Sequence, residues 1–255
     1  MPTPMSNQVL IEVCVDSVVS ASAAERGGAS RVELCASLLE GGVTPSAGLI
    51  ELVRSKTGIG LHVMIRPRGG DFCYIPEEFE TMRRDIVVVK NLGADGVVFG
   101  ILDASGNVDT ERTRLLVELA RPLQVTFHRA FDMSADLFRS LEDVCITGAD
   151  RLLTSGGEPS ALEAIPQIAR LRAAACGRIA IMACGGIDDK NAAAILEQTG
   201  VREIHVGLRS PVASAMTCQN SKLSMGTVAG REYQRFEVLE ENVRKLSNAV
   251  ALARV

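Results

Sequence analysis

Two short segments carry the same pair of reactive residue types at the same spacing. Glu12-Val13-Cys14 and Glu33-Leu34-Cys35 each place a carboxylate and a thiol two residues apart. In an extended strand, residues two apart share a face. Glu12, Cys14 and Asp16 then line one face of a first strand, and Glu33 and Cys35 one face of a second. Parallel neighbours lie about 4.8 Å apart, so two such thiols come within reach of one ion. Soft thiolates select Cu(I) or Zn. Two thiolates from separate strands suit Cu(I), which accepts few ligands, whereas a tetrahedral zinc site needs two more. The bland reading is that both cysteines are small core fillers. The carboxylates resist that reading, because a buried carboxylate must be paired or functional.

Further candidates follow later in the chain. Met64-Ile65-Arg66-Pro67-Arg68-Gly69-Gly70 ends a strand on Arg66, the expected partner for Glu12 and Glu33, before a turn whose backbone N–H groups could wrap an anion. Thr126-Phe127-His128-Arg129-Ala130-Phe131-Asp132 ends another strand on His128, a candidate general acid–base, with Asp132 close behind. Cys184-Gly185-Gly186 and Gly207-Leu208-Arg209-Ser210 follow the last two strands, where Gly185, Gly186, Arg209 and Ser210 could bind a phosphate or carboxylate. His62 sits early in its strand and reads as structural, and His205 as a weaker rim candidate. There is no Walker motif, no GxGxxG after a strand, no GxSxG and no HExxH.

The elements that must position these residues alternate. Strands are expected at 9–15, 32–35, 61–65, 96–99, 123–127, 151–154, 179–183 and 203–206. Helices are expected over 17–26, from Thr44-Pro45 onward, and over 76–92, 109–120, 134–146, from Ser160, 188–198 and 238–253. Strict alternation implies a parallel sheet with helices outside. Eight units in about 250 residues match a single-domain (β/α)8 TIM barrel, spanning 9–255 behind a loose leader over 1–8. A similar turn recurs before every second strand: Gly28-Ala29-Ser30-Arg31, Gly93-Ala94-Asp95-Gly96, Gly148-Ala149-Asp150-Arg151 and Gly200-Val201-Arg202-Glu203. Residues 207–236 break the rhythm as a long loop holding Met216, Cys218 and Met225, read equally as a lid or an interface arm.

Composition narrows the function. The 255 residues are 47% hydrophobic and 23% charged, the balance of a globular chain. A net charge of −4, no Trp and two Tyr argue against a nucleic-acid partner. No apolar run nears the ~18 residues that span a bilayer. The first eight residues lack the charge and apolar stretch of a signal peptide. Seven scattered cysteines without a CxxC suit a reducing, cytoplasmic compartment.

Taken together, Glu12-Val13-Cys14-Val15-Asp16-Ser17, Arg31-Val32-Glu33-Leu34-Cys35, the segment from Met64 to Phe72, the segment from Thr126 to Asp132, and Leu153-Thr154-Ser155-Gly156 resemble the CutC copper-homeostasis family over nearly the whole chain. The resemblance implies a TIM barrel, a cytoplasmic and partly nuclear location, a homo-oligomer (dimer or tetramer), and a Cu(I) site at Cys14 and Cys35. The chain departs from the family at Met182-Ala183-Cys184-Gly185-Gly186, where Cys184 adds a third thiol near the mouth, and at Val206-Gly207-Leu208-Arg209. Two functions remain open. One is a Cu(I)-binding protein with Cys14 and Cys35 as ligands and Glu12 and Glu33 behind them. The other is a barrel enzyme acting on a small anionic or phosphorylated metabolite by lyase, aldolase or isomerase chemistry. There Glu12, Glu33, Arg66, His128 and Asp132 supply the acid–base and charge-stabilising groups.

Overall fold

The computed structural model describes residues 9–253 apart from 221, 226–227 and 229–230. The leader expected over 1–8 lies outside the described residues. Eight strands, β1 (Leu10–Val15), β2 (Arg31–Leu34), β3 (Gly60–Met64), β4 (Gly96–Phe99), β5 (Gln124–Phe127), β6 (Arg151–Thr154), β7 (Ala180–Ala183) and β8 (Glu203–Val206), pair in parallel and in sequence order. β8 closes on β1 through the register Glu12 to His205, giving a closed barrel. Helices α1 (Val18–Arg26), α2 (Ala47–Lys56), α3 (Pro76–Asn91), α4 (Thr110–Ala120), α5 (Leu137–Thr147), α6 (Ile165–Ala175), α7 (Ala192–Thr199) and α8 (Glu240–Ala251) follow the strands in turn.

The period-two pattern of the strands divides the barrel. Val13, Val15, Val32, Leu34, Leu61 and Val63 point outward and are buried in the main apolar core with helix residues such as Ile50, Val53 and Ile86. The alternate residues point inward, and they are unusually polar. The barrel is thus stabilised from outside by aliphatic packing, which leaves its interior available for ionisable groups.

Several element starts differ from the sequence expectation, each for a local reason. α2 begins at Ala47 under the cap of Ser46. Thr44 instead exchanges hydrogen bonds with the backbone of Arg66. Phe131–Met133 forms a short 3-10 turn, so α5 starts under Asp136 rather than at Ser134. The expected capping pair Ser160 and Glu163 does form, but it closes a separate turn, and α6 begins at Ile165. Asp188 folds its carboxylate onto the N–H groups of Lys190 and Asn191, which delays α7 to Ala192. The long excursion is not all loop. β9 (Arg209–Ala213) and β10 (Gln234–Val238) make an antiparallel two-stranded ribbon at its base.

The recurring turn acquires a purpose. Arg31, Gly96, Arg151 and Glu203, the residues that end the four copies, are the first residues of the even strands. Asp95 and Asp150 repeat one device, each accepting from an Arg guanidinium and from the N–H at the start of the preceding strand region, Leu61 and Val125.

Candidate functional site

The lower barrel interior is an ion cluster. Arg31 Nε donates to Glu12 Oε2 at 2.5 Å, and its Nη2 to Glu203 Oε2 at 2.5 Å and Met182 Sδ at 3.0 Å. Arg151 donates to Glu203 and, at 3.4 Å, to Thr126 Oγ1. Gly96 leaves space for the His62 ring, since a Cβ there would lie 2.7 Å from it. Burial drives His62 down to about 4, so it is neutral at physiological pH.

One layer higher, Glu12 couples this floor to the mouth. Its Oε1 accepts from His205 Nδ1 at 2.8 Å. Burial alone would raise its carboxyl, but Arg31 and His205 outweigh that and hold it well below the usual carboxylate range. For His205 burial works downward, and the charges of Glu33 and Glu12 with the Cys14 hydrogen bond raise it well above its ordinary value. His205, read from sequence as a minor candidate, is therefore the cationic hinge of the site. Its importance comes from barrel closure, which sets β8 beside β1 although nearly two hundred residues separate them in the chain.

The donor atoms of Cys14, Glu33 and Cys35 all lie within 4.8 Å of one another. Cys35 Sγ and Glu33 Oε2 are hydrogen-bonded at 3.4 Å. The Cys14 thiol is drawn down to about 5, first by its hydrogen bond with Cys35, which outweighs burial, and then by His205. Cys35 is pushed up by that same hydrogen bond and by burial. Burial raises the Glu33 carboxyl to about 8, with His205 opposing and the Cys14 and Glu12 charges adding to it. At neutral pH the interior thus holds three cations, Arg31, Arg151 and His205, against three anions, Glu12, Glu203 and the Cys14 thiolate.

These donors fit Cu(I). Two sulfurs each about 2.3 Å from a metal span at most about 4.6 Å, a separation the pair can meet. Two sulfurs and one carboxylate would fill three positions of a tetrahedral zinc site, whereas the two sulfurs alone suffice for Cu(I). Cys184 does not join them. It is buried in an apolar cluster with Leu153 and Met182.

Above the thiols opens a cavity of about 930 Å³, bordered by Cys14, Glu33, His205, Arg66, His128 and Asp132 among others. Arg66 does not pair with Glu12 or Glu33, contrary to expectation. It lies two residues beyond the end of β3, and its guanidinium donates to the carbonyls of Glu40 (2.7 Å), Gly42 (2.9 Å) and Gly70 (2.8 Å), tying two rim loops together. Asp132 is an anchor. Its carboxylate accepts from the Thr154 hydroxyl, Ser155 N (3.0 Å), Gly157 N (3.2 Å) and Arg129 Nε (2.8 Å). His128 is buried, and burial followed by the Arg66 charge lowers it to about 3.

Of the four anion candidates, Gly185 and Gly186 follow β7, where their carbonyls accept from Ala161 N and Asn191 Nδ2. Arg209 and Ser210 belong to the β9 ribbon, where Arg209 pairs with Asp16 at 3.1 Å and Ser210 accepts from Asn242 Nδ2 at 3.1 Å. The residues that sequence reasoning missed are Arg31, Arg151 and Glu203. The repeated turn marked their positions without revealing that they face one another.

The family model described as CutC family matches residues 9–210. The copper homeostasis protein cutC homolog of Mus musculus is 49% identical over 245 residues, covering 96% of this chain and 90% of that protein. Its Homo sapiens counterpart is 48% identical over 246 residues, with the same coverage. Among solved structures, a Streptococcus agalactiae protein named CutC superposes with a TM-score of 0.73 at 36% identity, covering 78% of this chain and 98% of its own. Thiamine phosphate pyrophosphorylase from Pyrococcus furiosus, at 18% identity and a TM-score of 0.56, shares the barrel fold.

Proposed function

The chain belongs to the CutC family of copper homeostasis proteins, and from that premise we propose that it binds Cu(I) as cargo through Cys14 and Cys35 at the carboxyl-end mouth of the barrel. The observation that carries this reading is the convergence of the two sulfurs and the Glu33 carboxylate within 4.8 Å of one another. Cys14, already drawn down to about 5, presents a thiolate at neutral pH. Cys35, pushed up, gives up its proton when the ion arrives, so binding releases protons and tightens as pH rises. Glu33 and His205 balance the charge behind the sulfurs, and Glu12 holds His205 in place. The seven free thiols support a reducing, cytoplasmic setting. Among the described residues no helix is long and apolar enough to cross a membrane.

The test is an anaerobic Cu(I) titration of the reduced protein against a competing chelator, beside the Cys14→Ser, Cys35→Ser double variant. One tight equivalent per chain is expected, absent from the variant. Equal binding by the variant would remove the site from β1 and β2.

A further inference from the structure

Copper binding leaves most of the mouth unused. A cavity of about 930 Å³ is the size that encloses a small organic molecule, far more than one ion fills. Three side chains on its wall, Glu33, Arg66 and His128, are only 3%, 5% and 4% exposed. Each keeps a buried polar atom without a partner: Glu33 Oε1, Arg66 Nε and His128 Nε2. Buried polar atoms are nearly always paired. Three orphans around one cavity point to a shared missing partner.

The hydrogen bonds already made define what each orphan needs. His128 Nδ1 accepts from Ala130 N at 3.1 Å, which puts the proton of the neutral ring on Nε2 as a donor. The two Nη atoms of Arg66 are engaged by rim carbonyls, leaving the Nε–H as a second donor. Glu33 Oε2 is hydrogen-bonded with Cys35 Sγ; with the carboxyl proton on that oxygen, Oε1 is left as an acceptor. Phe72 stands by both donors, its ring centroid 4.9 Å from that of His128 and 5.0 Å from Arg66 Cζ. With Met64 and Leu153 it supplies the apolar part of the wall.

We infer that the mouth binds, beside the copper site, a small carboxylic acid that has an apolar body and a hydroxyl or amino substituent. Its carboxylate accepts from His128 Nε2 and Arg66 Nε once the Phe72 ring turns aside. Its apolar body lies against Met64, Phe72 and Leu153, and its substituent donates to Glu33 Oε1. A bare inorganic anion would match the two donors and leave the rest of the wall unsatisfied. This site shares Glu33 with the copper site but uses neither sulfur, so loss of the thiols tests the Cu(I) reading without removing this one.

The experiment takes copper-free protein labelled with 15N in its histidines and follows the His128 Nε2 resonance. The probes are 3-phenyllactate, 3-phenylpropionate, which lacks the hydroxyl, 2-phenylethanol, which lacks the carboxylate, and inorganic phosphate. Phenyllactate is expected to shift the resonance saturably, with a Kd of about 1 mM or tighter, and equally in the Cys14→Ser, Cys35→Ser variant. Phenylpropionate is expected to bind about tenfold more weakly, and the other two not at all. By calorimetry His128→Gln, which keeps a donor, retains binding, and His128→Leu loses it. The proposal is overturned if neither acid moves the resonance, if phosphate moves it as strongly as phenyllactate, or if His128→Leu binds unchanged. Should His128→Leu fail to fold, the resonance in the unsubstituted protein decides alone.

Discussion

The two ends of the barrel interior are built from the same residue types and finished differently. At the floor, Arg31 and Arg151 face Glu12 and Glu203, and each charge meets an opposite one within hydrogen-bond distance. Among the described residues there, His62 Nδ1 alone is left over, 3.7 Å from Glu12. At the mouth, Glu33, Arg66 and His128 each keep an orphan atom beside a large cavity, and two thiols share one hydrogen bond network. A closed set of ion pairs holds a shape. An unclosed set costs stability unless something else completes it. The contrast assigns structure to the floor and binding to the mouth, and substitutions at each end can break it.

The largest effect is expected at the floor. Glu203→Gln leaves Arg31 and Arg151 sharing one fewer anion, and unpairing a buried ion of this kind costs about 3–5 kcal/mol. Urea denaturation at neutral pH measures it. Cys14→Ser in the same assay should lose no more than about 1 kcal/mol. If the two variants were equally destabilised, the division between floor and mouth would be wrong.

Gly96→Ala is expected to come next. Its new Cβ would sit 2.7 Å from the His62 ring, which is enclosed and cannot retreat. Overpacking of this sort costs about 1–3 kcal/mol. A thermal melt that matches the parent protein would show that His62 has room the packing denies.

Glu33 separates the ends by pH. Its folded carboxyl is raised to about 8 from an ordinary 4.5 by burial, so the folded state keeps a proton that the unfolded state releases. That contribution to stability is present below 4.5 and is lost as pH rises toward about 8. Gln mimics the protonated form. Glu33→Gln should therefore match the copper-free parent near pH 5 and exceed it near pH 8. A constant difference across that range would sink the assignment.

The fold was largely legible because its signals are local. Eight apolar runs of period two and eight amphipathic stretches were enough to establish the alternation, and the Glu-x-Cys face follows from the same period. The errors arose where distant segments meet. Thr44 has the sequence context of a cap because Pro45 follows it, but its hydroxyl is occupied by the Arg66 backbone N–H. Chemistry alone pairs Arg66 with the carboxylates, yet its place beyond the strand end lifts it to the rim loops. The weight of His205 is invisible locally because closure of β8 on β1 is what brings it to Glu12. The β9–β10 ribbon escapes a local reading because its strands lie twenty residues apart in the chain.

The smallest effect is also the most specific. A thiol held to about 5 is already a thiolate at pH 6, so raising the pH to 8 adds little nucleophile. Iodoacetamide should modify Cys14 at nearly the same rate at both pH values, read by peptide mass mapping. A free reference thiol with a pKa near 8.5 accelerates about tenfold per unit over much of that range. Cys35→Ala removes the hydrogen bond that does most to stabilise the Cys14 thiolate, and His205→Gln removes the neighbouring cation. Each should restore a steep rise with pH while leaving the Arg31, Arg151 and Glu203 cluster intact. Were Cys14 merely a filler of the core, it would be silent at both pH values, and neither substitution would wake it.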